Sequence, residues 1–233
     1  MAESIYRSGE YVSKNPTYHV EDSPWKAQQI LKMMRKHQLE ARTICEIGCG
    51  AGEILSQLQS HLPEATEFYG YEISPQGFAL CAERANERLH FYCEDLLSSE
   101  ASPFDLLLCI DVFEHVEDYL GFLRRLSGKA RYQIFHIPLD MSAQAVVRAG
   151  PIMLERALVG HLHYFMKETA LATLRDTGYE VLDWFYTPGA LNNPRSLKAR
   201  LASLPRKICS LIHQDLTVRI LGGYSLLVLT KSK

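Results

Sequence analysis

The chain lacks several features that would assign it to a specialised class of protein. Its 233 residues carry a formal net charge of only −2, so the charge balance provides no field that would attract DNA, and it argues against RNA as well. No apolar run reaches the roughly 20 residues that cross a bilayer. Residues 1–7 contain no apolar stretch of the kind found in signal peptides. We therefore expect a folded protein without a transmembrane segment.

The chain also lacks the cysteine spacing of a metal site. None of the six cysteines belongs to a CxxC pair, and four lie on or beside predicted buried strands. A zinc site at Cys45 and Cys49 is disfavoured, because one side chain would point into the strand core and the other into a glycine-rich turn. Such cysteines are typical of reduced thiols in a cytoplasmic protein.

Strand and helix patterns alternate between residues 43 and 137. Short β-branched or apolar runs predict five strands, most of them separated by helical patterns. The predicted strands cover 43–47, 67–73, 89–93, 104–110 and 131–137. The fourth contains the continuous apolar run 106–110, as expected of a strand buried on both faces. This βαβα order predicts an α/β fold with a parallel, doubly wound sheet.

The pattern changes after Pro138. The predicted elements are helices over 142–159 and 167–177 and strands over 179–186 and 222–230. The long connector before the last strand contains a basic and amphipathic stretch at 195–219. Such a stretch suits a membrane surface or an acidic substrate. We prefer a solvated helical face or a contact in a homodimer.

The first predicted strand runs directly into a glycine-rich turn. Gly48, Gly50 and Gly52 occupy alternate positions, and Glu46 precedes them. Glycines between a strand and a helix leave room for a nucleotide-like ligand. A dinucleotide site would show GxGxxG and would place a pyrophosphate at the helix N-terminus. A carboxylate at that position instead suits a ligand with an amino group and a sulfonium charge, such as S-adenosylmethionine (SAM).

Carboxylates also follow the next three strands. Glu72 comes 26 residues after Glu46, Asp95 follows the third strand, and Asp111 follows the fourth. Carboxyl ends of parallel strands meet at one edge of an open sheet, where ligands bind. Glu72 could accept hydrogen bonds from both ribose hydroxyls, and Asp95 could accept one from the adenine amino group. Asp111 is expected beneath the methionine end.

Taken together, these motifs resemble those of the class I SAM-dependent methyltransferases. The matching segments are Glu46-x-Gly48-x-Gly50-x-Gly52, Tyr71-Glu72, Glu94-Asp95 and Asp111-Val112-Phe113-Glu114-His115-Val116. The resemblance covers about residues 25–187 and 222–231. It implies a Rossmann-like, mostly parallel sheet of seven strands whose last strand is antiparallel.

The resemblance also implies a layout for the chain and a set of cofactor contacts. We expect one domain over residues 1–233, with a cap region at 1–40, a SAM-binding core at 41–138, and substrate-side helices and C-terminal strands at 139–233. The residues expected at the SAM site are Glu46, Gly48, Cys49, Gly50, Gly52, Glu72, Ile73, Asp95, Leu96 and Asp111. The product of transfer would be S-adenosylhomocysteine (SAH).

Three residues are candidates for the chemistry of transfer. Glu114 and His115 directly follow the fourth strand at its methyl-facing end, and His161 lies in the segment 160–165. Methyl transfer requires an oriented acceptor and removal of its proton, and histidine is the usual base near neutral pH. His115 is therefore the expected base. A helix-capping role for Glu114 and His115 is the structural alternative.

The same segment has two resemblances with different chemical consequences. It is similar to the signature of ubiquinone-pathway O-methyltransferases and of other small-molecule methyltransferases. It is also similar to the Glu-x-x-Glu-His pattern of small-RNA 3′-end methyltransferases, which bind a divalent metal with a distant histidine. Here that set would be Asp111, Glu114, His115 and His161. We assign no metal ligand, because Asp111 is expected to serve the SAM site.

The expected function is transfer of the SAM methyl group to an oxygen of a small molecule, with nitrogen or carbon as less favoured acceptors. Three alternatives stay open: a SAM-binding protein without catalysis, a metal-assisted RNA methyltransferase, and a nicotinamide-dependent oxidoreductase. His136 is expected in the core and His163 at the surface or rim.

Overall fold

The strands form one mixed sheet. The computed structural model describes Tyr6 and residues 8–101, 103–188 and 197–233, and the side chains of 197–203 lie outside that description. The strands are β1 (Thr43–Ile47), β2 (Glu67–Tyr71), β3 (Leu89–Tyr92), β4 (Phe104–Ile110), β5 (Ala130–Pro138), β6 (Tyr179–Thr187) and β7 (Ser225–Ser232). Their order is β3-β2-β1-β4-β5-β7-β6. Only β7 is antiparallel, and it pairs with β5 and β6. The predicted seven-stranded α/β sheet is confirmed.

Nine α-helices are described. They are α1 (Glu10–Lys14), α2 (Ser23–Lys36), α3 (Glu53–Gln59), α4 (Pro75–Ala82), α5 (Tyr119–Leu126), α6 (Ala143–Arg148), α7 (Gly150–Leu158), α8 (Lys167–Asp176) and α9 (Leu197–Leu221). Several begin where the sequence supplies a cap: the Ser74 hydroxyl, for example, accepts a hydrogen bond from the Gly77 amide at the start of α4. None of the described helices has the length and apolarity needed to cross a bilayer.

Two apolar layers cover the faces of the sheet. One packs residues such as Phe113, Phe135 and Tyr179 on one side, and the other packs residues of α2 and α3 against the opposite side. Strand β4 explains why both layers are needed. Its side chains alternate between them, with Leu107 in the first and Leu108 in the second, and both are fully buried. The continuous apolar run of β4 therefore serves both faces.

The turn after β1 is held open by backbone geometry. Gly48, Gly50 and Gly52 all have positive φ angles, between 53° and 74°, which side chains with a Cβ rarely adopt. A Cβ on Gly52 would lie 2.5 Å from the Phe91 ring. The amides of residues 48 and 49 both donate to the Tyr71 carbonyl, which ties the turn to the end of β2.

The largest difference from the sequence prediction lies in the connector before β7. Residues 197–221 form α9, bent at His213, whose φ of −155° is not helical. Arg195, at the start of the predicted basic stretch, lies outside the described residues. The last strand begins at Ser225 rather than at residue 222, because Gly222 and Gly223 have positive φ angles and form the turn into it.

The Gly52 environment generates a stability prediction. Gly52→Ala adds a Cβ where the backbone is left-handed and Phe91 leaves no room, so we expect the free energy of unfolding to fall by about 1–3 kcal/mol. Urea titration measures this. Gly128→Ala is the matched control, because a Cβ there meets nothing within 4 Å. Equal stability of the two variants would contradict the packing role of Gly52.

Candidate active site

A cleft of about 1050 Å³ opens at the carboxyl ends of the parallel strands. Nine of the ten residues expected at the SAM site line it: Glu46, Gly48, Cys49, Gly50, Glu72, Ile73, Asp95, Leu96 and Asp111. Gly52 is the exception, since its missing Cβ makes room for Phe91 and Cys81. The cleft also contains His115 and His161. The strand ends thus bring cofactor candidates and catalytic candidates into one space.

Glu72 connects the end of β2 to the glycine turn. Its Oε2 accepts a hydrogen bond from the Gly50 amide at 2.8 Å, and its Oε1 accepts one from the Ser74 amide at 2.7 Å. The side chain is only 5% exposed. Burial raises its pKa, although the backbone donors oppose that shift. Each oxygen has a further lone pair, so Glu72 can still accept bonds from a ligand.

Glu46 is a buried carboxylate with an unsatisfied atom. The residue is 2% exposed, and its Oε2 has no hydrogen-bond partner. Burial raises its pKa well above the usual value, while the nearby Lys26 acts in the opposite direction. A buried carboxylate oxygen without a donor is costly. A cationic donor entering the cleft would remove that cost.

Asp111 is held by a chain of polar groups, of which His136 and Thr187 are buried. Its Oδ2 pairs with Lys26 Nζ at 2.7 Å, and its Oδ1 lies 2.6 Å from His136 Nδ1. The other nitrogen of His136 is 2.9 Å from the Thr187 hydroxyl. Burial alone would raise the pKa of Asp111, but His136 and Lys26 hold it well below its usual range. His136 is buried, as expected, yet it is also a partner of Asp111.

Lys26 is a site residue that the sequence analysis missed. It lies in the first turn of α2 and lines the cleft between Glu46 and Asp111. Burial alone would lower its pKa, but Asp111 raises it. The Ser23-Pro24 start of α2 was the available signal, because it places the next turn of that helix against the sheet edge.

Asp95 and its neighbours form the wall next to β3. The Asp95 carboxylate accepts a hydrogen bond from the Leu97 amide at 2.9 Å and so caps a short 3₁₀ turn. Leu96 is buried in that turn, and Ile73 lines the cleft beyond Glu72. This wall combines one carboxylate with apolar surface, which suits a planar ring with a polar edge.

Glu114, His115 and His161 meet at the carboxyl end of β4. The ring centroids of the two histidines are 4.9 Å apart. His161 Nδ1 donates to Asp140 Oδ2 at 2.7 Å, which fixes the ring. Both oxygens of Glu114 and the Nδ1 of His115 are buried without a hydrogen-bond partner.

Burial and mutual charge set the protonation of this cluster. Burial, together with repulsion by Asp111, raises the pKa of Glu114 to about 8. Burial and the charge of His161 lower the pKa of His115 to about 3. Burial alone would lower the pKa of His161, but Asp140 and Glu114 raise it to about 9. At neutral pH the cluster therefore contains a neutral His115 beside a cationic His161.

The same three side chains form a donor set for a divalent metal. One ligand atom from each of Glu114, His115 and His161 lies within 4.8 Å of the others. A metal ion fits the free oxygens of Glu114, and it also fits His161, whose ring is oriented by the Asp140 carboxylate. Asp111 is not in this group, and its carboxylate is paired with Lys26 and His136.

Aromatic side chains from the N-terminal segment cover the cleft. Tyr18 lies against Gly50, where a Cβ would be 3.3 Å from its ring. Tyr11 contacts both Tyr18 and Tyr6, and the Tyr6 ring meets His115 edge-on at 5.9 Å. The row of rings spans the distance from the glycine turn to the histidine cluster.

Comparison with known proteins assigns the family. The model of the methyltransferase domain family matches residues 20–183, which is more than half of the chain. The chain is a class I SAM-dependent methyltransferase. The ubiquinone biosynthesis O-methyltransferase of Xanthomonas axonopodis pv. citri (strain 306) is 27% identical over 208 residues, which cover 78% of this chain and 82% of that protein.

Solved structures of a methyltransferase and of a cyclopropane synthase share the fold. Magnesium protoporphyrin IX methyltransferase from Synechocystis PCC 6803 with bound SAM has a TM-score of 0.62 at 14% identity and covers 100% of this chain and 98% of that chain. The cyclopropane synthase MmaA2 from Mycobacterium tuberculosis has a TM-score of 0.59 at 16% identity, with coverages of 88% and 84%. At these identities the likeness concerns the fold alone.

The raised pKa of Glu114 generates a prediction about stability and pH. The unfolded chain releases the Glu114 proton near 4.5, whereas the folded methyltransferase keeps it until about 8, so this residue makes folding less favourable as pH rises between those values. Glu114→Gln carries no such proton. We expect its stability relative to the wild type to rise by more than about 1 kcal/mol between about pH 5 and pH 8.

Urea titrations of both proteins at the two pH values measure that difference. Glu64→Gln is the control, because it makes the same substitution at an exposed carboxylate. A stability difference for Glu114→Gln that is the same at both pH values would show that Glu114 is already ionised in the folded protein.

Proposed function

We propose that this methyltransferase transfers the SAM methyl group to a hydroxyl oxygen of a small molecule, with His115 as the base. The observation that carries the proposal is His115 itself, which lines the same cleft as the glycine turn and has a buried Nδ1 without a hydrogen-bond partner. The relative named for ubiquinone biosynthesis, an O-methyltransferase, supports oxygen as the acceptor atom. Nitrogen and carbon are the less favoured acceptors.

The cofactor end of the cleft is assigned by matching charges. The α-amino group of SAM pairs with the unsatisfied oxygen of Glu46, and Lys26 supplies positive charge for the cofactor carboxylate. The ribose hydroxyls donate to the remaining lone pairs of Glu72. The adenine lies against the wall of Ile73 and Leu96, with its amino group near Asp95. Cys49 and the glycines contribute backbone and open space.

The histidine cluster then lies at the methyl end. The acceptor oxygen attacks the methyl carbon in line with the C–S bond, a C–O bond forms as the C–S bond breaks, and sulfur keeps the electron pair as SAH forms. The hydroxyl proton passes to His115, whose Nδ1 lone pair is free because the ring is neutral. Burial and the cationic His161, which is held by Asp140, keep His115 neutral before transfer, and the buried Glu114 lies beside it.

A divalent ion offers a second way to activate the acceptor at the same place. Glu114, His115 and His161 would hold the ion, which would polarise the acceptor oxygen and lower the pKa of its hydroxyl. We prefer the metal-free reaction, in which His115 is free to take the proton.

We also place the enzyme in the cytoplasm, in keeping with its six free cysteines.

The assignment of Glu46 predicts opposite effects on binding and stability. Glu46→Gln keeps the shape of the side chain but removes the charge. We expect the affinity for SAH, measured by calorimetry, to fall by about tenfold or more, while the unliganded protein unfolds at an equal or higher temperature because a buried, incompletely paired charge is gone. The exposed Glu64→Gln is the matched control. Unchanged SAH affinity would contradict the assignment of Glu46 as a cofactor-binding residue.

The assignment of His115 predicts a loss of turnover without a loss of cofactor. His115→Ala should lower kcat by about 10²–10⁴-fold and leave SAH affinity within about twofold, since His115 lies beyond the methyl group. Release of SAH from a panel of hydroxylated acceptors measures turnover, with the exposed His61→Ala as control. Full turnover by His115→Ala would refute the assignment of His115 as the base.

Chelation distinguishes the two modes of activation in the same assay. The metal-free reaction predicts equal wild-type turnover with excess EDTA and with added Mg²⁺ or Mn²⁺. Turnover that disappears with EDTA and returns with one of these ions would assign the cluster to a metal instead, and it would leave the assignment of the cofactor end intact.

A further inference from the structure

Exposed apolar side chains are concentrated on three helices beside the cleft. Of the fourteen large apolar side chains that are exposed in the described part of the chain, eleven lie on α6, α7 and α9. They are Val146, Val147, Met153, Leu154, Leu158, Leu204, Ile208, Leu211, Ile212, Leu216 and Ile220. Helix α6 contacts both α7 and α9, so the three helices form one neighbourhood. We refer to these eleven side chains as the apolar surface.

The apolar surface includes an ordered stripe on α9. Leu204, Ile208, Leu211 and Ile212 are spaced as i, i+4, i+7 and i+8, which places them on one side of the helix. Leu211 is 89% exposed and Ile212 is 83% exposed. A helix that packs on its own domain turns such a stripe inward. Here the stripe faces away from the domain, and single exposed apolar residues would not produce this pattern.

The helix that carries the stripe is strongly basic. Residues 197–221 contain five Lys or Arg and one Asp, which gives +4 in a chain whose net charge is −2. Lys207 is exposed on α9, and Arg148 is exposed at the end of α6. Apolar side chains among basic ones are the composition of helices that lie in the interface of a membrane with anionic lipids.

We propose that α6, α7 and α9 dock this methyltransferase on the surface of an anionic lipid bilayer. The apolar surface enters the boundary between headgroups and acyl chains, and the exposed Lys207 and Arg148 pair with lipid phosphates. Arg219 is already paired with Asp215 and Glu168. A second copy of the chain is a poorer occupant, because it would bring the same excess of positive charge against the first.

The position of the apolar surface gives this docking a consequence for the cleft. Arg148, Leu154 and Arg206 line the cleft and also belong to the three docking helices. The cleft mouth is therefore continuous with the proposed membrane contact. Docking depends on these helices alone, and it does not require that the acceptor atom be oxygen or that His115 be the base.

Vesicle sedimentation of the full chain tests the proposal. We expect the wild type to partition onto vesicles of phosphatidylcholine with about one third phosphatidylglycerol, and much less onto pure phosphatidylcholine. The double substitution Leu211→Ser and Ile212→Ser should weaken this partition by about tenfold or more. An ionic strength of about 0.5 M should also weaken it. Leu182→Ser, an exposed leucine on β6, is the matched control and should bind as the wild type does.

SAH affinity verifies that each variant is folded, because none of these residues belongs to the cofactor end of the cleft. Failure of the wild type to bind anionic vesicles would overturn the proposal. Equal binding to vesicles of pure phosphatidylcholine would overturn the anionic part of it. A wild-type dimer in light scattering that the double substitution converts to a monomer would overturn it in favour of a second copy.

Discussion

Negative charge held away from water at the carboxyl ends of β1, β2 and β4 is the constraint on which the rest of the structure depends. Each buried carboxylate costs free energy unless donors surround it. Glu72 obtains two backbone amides, and Asp111 obtains Lys26 and His136. Glu46 retains an oxygen without a partner. The folded chain thus leaves this carboxylate oxygen of Glu46 without a donor at the cleft, where a cationic group of the cofactor would pair with it.

Helix α2 and the N-terminal aromatic residues follow from the same constraint. Lys26 must reach Asp111 from outside the sheet, so the start of α2 has to lie over the strand ends. The segment before α2 then crosses the cleft, and Tyr18 can lie on the turn because Gly50 has no Cβ. At the other end, the positive charge of the cluster lies on His161, and burial and that charge keep the imidazole of His115 neutral near the methyl end.

The sequence was sufficient for the parts of the molecule that depend on local patterns. The apolar run of β4, the three alternate glycines and the carboxylates at strand ends identify the sheet and the cofactor edge, since side-chain direction at the end of a parallel strand is fixed by the strand itself. The strand order confirms the sheet, and the family match supports the class of cofactor.

Other features depend on contacts between distant residues, and the sequence did not reveal them. The pairing of Lys26 with Asp111 and that of Asp140 with His161 join elements that are far apart in the chain. The outward direction of the stripe on α9 depends on which side of that helix packs, and its amphipathic pattern alone is compatible with either choice. For the same reason, the sequence did not show that Gly52, unlike Gly48 and Gly50, lies outside the lining of the cleft.

A crystal structure of the complex with SAH tests the central claim most directly, because it reports which atoms satisfy the buried carboxylates. The account predicts the SAH amino group at about 3 Å from the free oxygen of Glu46 and the ribose hydroxyls at about 3 Å from Glu72. It also predicts that Lys26 stays on Asp111. A complex in which Glu46 keeps an unpaired oxygen, or in which the ribose contacts neither oxygen of Glu72, would contradict the account.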